Sequence, residues 1–71
     1  MNDLAKQTVL QMKYARIIVL LAEILHIDNV AAMDVFYNSQ TLKLIEDGVA
    51  DLHCRSDYYL AEEIAREYRE L

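Results

Sequence analysis

The chain contains no proline, one glycine and one cysteine among its 71 residues. Each scarcity excludes something. So few breakers favour long helices over a turn-rich β fold. With Cys54 as the only thiol, no disulfide can form within the chain, which suits a reducing compartment. No apolar run is long enough to span a bilayer: Ile17 to Ala22 is bounded by Arg16 and Glu23, and spanning takes roughly 20 apolar residues. The first residues also lack the basic region, apolar core and cleavage site of a signal peptide. The sequence therefore reads as soluble and cytoplasmic.

Positive charge is scarce where it would matter most. The net charge is −5. Its excess lies wholly in the last third, where Glu46, Asp47, Asp51, Asp57, Glu62, Glu63, Glu67 and Glu70 face only Arg55, Arg66 and Arg69. Without a basic patch, nucleic-acid binding is disfavoured. A single domain over residues 1–71 is expected, and so short a chain buries only about 60% of its unfolded surface. Dense apolar packing must hold it, since 55% of the residues are hydrophobic.

What is present in abundance is helical periodicity. At about 100° per residue, Leu10, Tyr14, Ile17, Leu21 and Ile24 form one seam, with Ile18, Ala22 and Leu25 beside it. Val9, Met12 and Val19 extend the apolar arc round the other flank. The polar wedge of Lys13, Arg16 and Glu23 is narrow, and Leu20 interrupts it. Such a helix must be covered on most sides by its own chain, a second copy or another protein.

The rest of the chain supplies short helices. The first runs from a cap at Asp3 to about His26, and a break covers His26 to Asn29. Asp28 caps a second helix to about Asn38, with Ala32, Val35 and Phe36 inward and Ile27 placed to staple onto Ala32. Ser39 caps a third through Leu42, Leu44 and Ile45, and Gly48 stops it. Glu46 and Asp47 sit unfavourably at its negative end. Val49 to Arg55 reads as an extended connection anchored by Leu52. Ser56 caps a last helix lined by Leu60, Ile64, Tyr68 and Leu71, with Ala61 and Ala65 adjacent. Glu62 attracts Arg66 at i,i+4, while Glu63 and Glu67 repel. The expected fold is all-α: a compact four-helix arrangement with one long central N-terminal helix and three shorter ones.

Several of these residues resemble a known family. They are the Arg16 to Glu23 run, Ala32-Met33-Asp34-Val35-Phe36-Tyr37, Asn38-Ser39, Thr41, Leu44, Asp47-Gly48, Leu52, Ser56-Asp57 and Tyr59. Over about residues 13–65 the pattern resembles a family of short, helical, uncharacterised bacterial proteins, a domain of unknown function. Some are encoded beside ADP-ribosyltransferase-like proteins, an arrangement that looks like a toxin–antitoxin or accessory pair. The chain departs from that pattern around Val49 and Ala50, where relatives carry a more turn-like, glycine-containing segment. The resemblance carries no catalytic or ligand residue across.

No cluster in the sequence specifies a chemistry. His53 and Cys54, as neighbours in an extended segment, would point to opposite sides and make no thiolate–imidazole pair. They also lack metal-ligand partners, because His26 is the only other imidazole and no CxxC or HxxxH spacing exists. The carboxylates of the last helix read as its solvated face, or else as a docking surface for a basic partner. There is no phosphate-binding glycine loop, nucleophile elbow or basic–aromatic interleaving. No catalytic, cofactor or metal site is expected.

The expected function is a non-enzymatic protein–protein interaction module that binds a partner, itself or both, with a homodimer as one outcome. Candidate partner-binding residues are Val9, Met12, Val19 and Leu20 on the first helix, Tyr37 on the second, and Tyr58, Glu62 and Glu63 on the last. The alternative is a small helix-turn-helix transcriptional regulator built on the second and third helices. Against it, Lys43 is the only cation of the would-be recognition helix.

Overall fold

Helix α1 runs unbroken from Asn2 to Leu25 in the computed structural model, which describes residues 2–71 and the side chains of residues 7–71. Its 24 residues make a rod about 36 Å long, nearly the 38 Å of the molecule's longest dimension. Asp3 lies inside the helix rather than at its cap, because the helical backbone already includes Asn2. The far end closes on His26, in the left-handed conformation at φ 57°. There His26 N–H donates to the Glu23 carbonyl at 3.4 Å and Ile27 N–H to the Ala22 carbonyl at 3.0 Å. These two bonds satisfy orphan carbonyls and turn the chain back.

The caps expected at Asp28, Ser39 and Ser56 form. Asp28 accepts from Ala31 N–H at 2.7 Å and starts α2, Asn29–Tyr37. Ser39 closes one helix and opens the next: its hydroxyl donates to the Phe36 carbonyl at 2.7 Å and accepts from Leu42 N–H at 3.1 Å. Helix α3 spans Gln40–Glu46 and stops at Gly48, whose φ of 71° suits the one residue without a Cβ. Ser56 accepts from Tyr59 N–H at 3.0 Å and starts α4, Asp57–Arg69.

The segment expected to be extended is instead a 3-10 helix, η1, at Val49–Cys54. Ala50 and Asp51 take the left-handed conformation, φ 52° and 53°, which kinks the segment and folds it back on α3. Coiling shortens the reach per residue from about 3.3 to about 2 Å, and this lets Leu52 dock against the core without overshooting Ser56. Among the described residues the architecture is all-α, with five helices rather than four, one of them 3-10.

Helix α4 lies along α1 in the same direction. Its first residue, Asp57, meets Lys13 and Arg16, while Arg69 reaches the Ile24 carbonyl at 3.4 Å. Helix α2 returns along α1 the other way, so that Phe36 near its end packs against Tyr14, ring centroids 5.1 Å apart and tilted by 56°. Ile17, Leu21, Phe36, Leu60 and Ile64 are fully buried between them, each contributing about 2 kcal/mol of apolar burial. Ala22, Ala32, Ala61 and Ala65 are buried in the same core, where small side chains let helices pack closely. Ile27 and Val35 pack at the margin of this core. Tyr68 and Leu71, expected to line the inner side of α4, do not join it: Tyr68 is exposed in the last turn, and Leu71 lies beyond the helix end at Arg69.

Candidate interaction surface

The cover on α1 begins at Lys13. From there to Leu25 the rod is flanked by α4 and α2, but its N-terminal half continues past both. Val9 is 63% exposed, whereas Ile17 and Leu21 are completely buried. The seam that makes the core does not stop where the cover stops. Leu10 and Tyr14 carry it outward, half-buried, along the face that Ile17 and Leu21 present to the interior.

The outward continuation forms one wall of an open groove. Val9, Leu10 and Tyr14 of α1 face Ile45 and Glu46 of α3, Gly48 and His53 across it, and Gln7, Gln11 and Lys13 border it. Burial, then the nearby Glu46 carboxylate and the Tyr37 hydroxyl, raise the pKa of the Tyr14 hydroxyl above its ordinary 10.0. Apolar floor and negative rim thus share one place.

At the edge of the groove the polar wedge of α1 has become a clamp. Lys13 Nζ donates to Asp57 Oδ1 at 2.8 Å and to the Arg55 carbonyl at 2.8 Å, and Arg16 Nε donates to Asp57 Oδ2 at 2.7 Å. Hydrogen bonds from Lys13 and then Arg16 hold the Asp57 carboxyl below its ordinary 3.8. Asp57 also stands in the first turn of α4, where negative charge is favoured.

The eight residues singled out from the sequence do not form one surface. Val9 lines the groove. Met12 and Val19, 47% exposed, point away from the core on the far side of α1. Leu20 is half-buried and packs against the core. Tyr37 is exposed with its ring edge-on to Phe36, centroids 5.0 Å apart. Tyr58 is exposed, and hydrogen bonding to Glu62 raises its pKa above 10.0. Glu63 pairs with Arg66 at i,i+3, in place of the expected Glu62–Arg66 attraction.

Glu67 departs furthest from its expected role. It does not merely repel Glu63 from a solvated face: its carboxylate reaches the N-terminus of α3. There it accepts from Gln40 N–H, from Thr41 N–H at 3.1 Å and from the Thr41 hydroxyl at 2.9 Å. Of the residues that line the groove, the list from sequence holds Val9 alone and omits, among others, Leu10, Tyr14, Ile45 and His53. One signal could have found Leu10 and Tyr14: a helix of over 20 residues cannot be covered end to end by partners of nine and 13.

His53 and Cys54 are both exposed, and since η1 is coiled they stand about 120° apart rather than on opposite sides. Among the described residues no three of His, Cys, Asp or Glu converge as metal ligands, and no helix is long and apolar enough to cross a membrane. No family model matches the chain, and it matches neither a curated protein nor a solved structure.

Proposed function

We propose that the chain is a non-enzymatic interaction module of the cytoplasm, a small helical unit that binds a protein partner, itself or both. One observation carries the reading: the apolar arc of α1 runs beyond its cover, leaving Val9 on its flank exposed and Leu10 and Tyr14 of its seam half-covered. An antitoxin-like or accessory role beside an ADP-ribosyltransferase-like protein rests on the family resemblance alone.

Size-exclusion chromatography with light scattering, over a range of concentrations, tests self-association. A homodimer predicts a mass that rises with concentration and returns to that of one chain in Val9→Asp. A clean monomer at high micromolar concentration removes that part of the proposal. Titration with the purified product of the neighbouring gene tests the hetero-partner. A chain that does neither is not an interaction module.

The rival, a helix-turn-helix regulator, has one observation in its favour, the two-residue connection between α2 and α3. Against it, Thr41, Leu42 and Ile45 of α3 are buried, and its exposed Lys43 stands beside exposed Glu46 and Asp47. Saturable binding in a low-salt gel shift would reverse this ordering.

A further inference from the structure

We propose that the groove between the N-terminal half of α1 and the α3–η1 corner takes one amphipathic helix of a basic protein partner. Apolar residues of that helix would face Val9, Leu10, Tyr14 and Ile45, with lysine or arginine beside Glu46, Asp47 and Asp51. The inference rests on the interaction-module reading and names the chemistry of its partner.

Shape selects a helix. The part of α1 that lines the groove, Gln7 to Tyr14, is about 12 Å long, or two turns. Among the described residues there is no strand to offer an edge for an extended peptide. The available mode is a helix laid beside a helix, its apolar stripe in the groove.

Charge selects a basic one. Glu46 and Asp47 stand at the negative end of α3, where the helix dipole adds to their charge, and Asp51 follows on the same corner. The ion pairs among the described residues join Lys13 and Arg16 to Asp57, and Arg66 to Glu63, so none neutralises these three carboxylates. Lys43, exposed on α3 beside Glu46 and Asp47, offsets one of the three charges and leaves the corner net negative, while two further cations are engaged elsewhere. Lys13 is held by Asp57 and the Arg55 carbonyl, and the Arg55 guanidinium lies over the Tyr59 ring, 5.5 Å from its centroid. A second copy of the chain would bring a like net charge of −5, so a basic partner is the complementary one.

The test uses fluorescence anisotropy on the full chain with two synthetic amphipathic helical peptides. They share one Leu/Ala apolar stripe and differ in carrying Lys or Glu along its flanks. The Lys peptide is expected to bind at least about tenfold more tightly than the Glu peptide, and to weaken as salt is raised. Val9→Asp and Leu10→Asp should each reduce binding of the Lys peptide; the first residue is exposed, so its variant keeps the fold. Combined Glu46→Lys, Asp47→Lys and Asp51→Lys should invert the preference, while Glu62→Lys with Glu70→Lys on α4 should leave it unchanged. Circular dichroism checks that every variant is helical.

Equal binding of the two peptides, binding of neither, or indifference to the triple reversal overturns the inference. So does a dimer broken by Val9→Asp, because the groove is then filled by a second copy. That last result leaves the interaction-module reading standing, whereas failure of both tests in the preceding section removes it.

Discussion

Lys13 and Asp57 meet across 44 residues of sequence, the ammonium donating to Oδ1 at 2.8 Å, and the contact pins the start of α4 to the middle of α1. Both side chains are largely covered, at 15% and 24% exposure, so the pair is screened less than a surface ion pair. Asp57→Asn should destabilise the chain by about 1–2 kcal/mol at neutral pH. The folded Asp57 carboxyl titrates below its ordinary 3.8, so on acidification the unfolded chain takes up the proton first. The contribution is therefore complete above about pH 5 and is lost as pH falls through the lower folded value. Urea unfolding of both proteins from pH 7 down to the acid limit should show the two stabilities converging below pH 4. A gap that persists there would mean that the destabilisation has another source.

Glu67 supplies three acceptor contacts to the first residues of α3, a helix of only seven residues that also relies on Ser39. Glu67→Ala should lower stability by about 1–2 kcal/mol, and Glu67→Gln by about half as much, because an acceptor oxygen remains. Amide hydrogen exchange should quicken at Gln40 and Thr41 more than at the Ser56-capped start of α4. Glu70→Ala, at an exposed position, should change stability by no more than about 0.5 kcal/mol.

Gly48 and Ala50 share a left-handed backbone but hold opposite residues for it, at φ 71° and 52°. An added Cβ at Gly48 would meet nothing within 4 Å, so only backbone strain opposes it. Gly48→Ala should therefore destabilise by about 1 kcal/mol, and Ala50→Gly should stabilise by about 0.5–1 kcal/mol. In thermal melts these are shifts of opposite sign, about 4–8 °C for each kcal/mol in a domain of this size. Shifts of the same sign would show that η1 does not hold this conformation in solution.

Phe36 is fully buried, with Tyr14 and Tyr37 against its ring. Phe36→Ala should cost about 3–5 kcal/mol, most of the stability that so short a chain can have. Far-UV circular dichroism should then show reduced helicity at 37 °C and a broad melt. A cooperative transition within a few degrees of the wild type would place the core elsewhere.

The parts of this fold that are legible in the sequence depend on a few neighbouring residues. Asp28, Ser39 and Ser56 each cap the helix that follows because a short side chain and an amide three residues on are placed by local geometry. The seam from Tyr14 to Leu25 is legible for the same reason, since period alone puts Ile17 and Leu21 on one line. What was not legible is non-local. Asp57 looks like helix-start charge until Lys13 and Arg16 arrive from the other end of the chain. Glu67 looks solvated until α3 is laid beside it. The left-handed turn at Ala50 and Asp51 defies the conformational preference of those residues, and the docking of Leu52 accompanies it. At the candidate surface, periodicity found Val9. It did not find Ile45 and His53, which reach the groove through the packing of α3 and the fold of η1.

The contacts that lock α4 to α1 join residues 41 to 45 positions apart. On a translating ribosome that separation is a delay of roughly 2–9 s, at 5–20 residues added per second. Throughout that interval the newborn N-terminal rod displays its oiliest side with the final helix still unmade. It is then a ready ligand for any chaperone that patrols the exit tunnel.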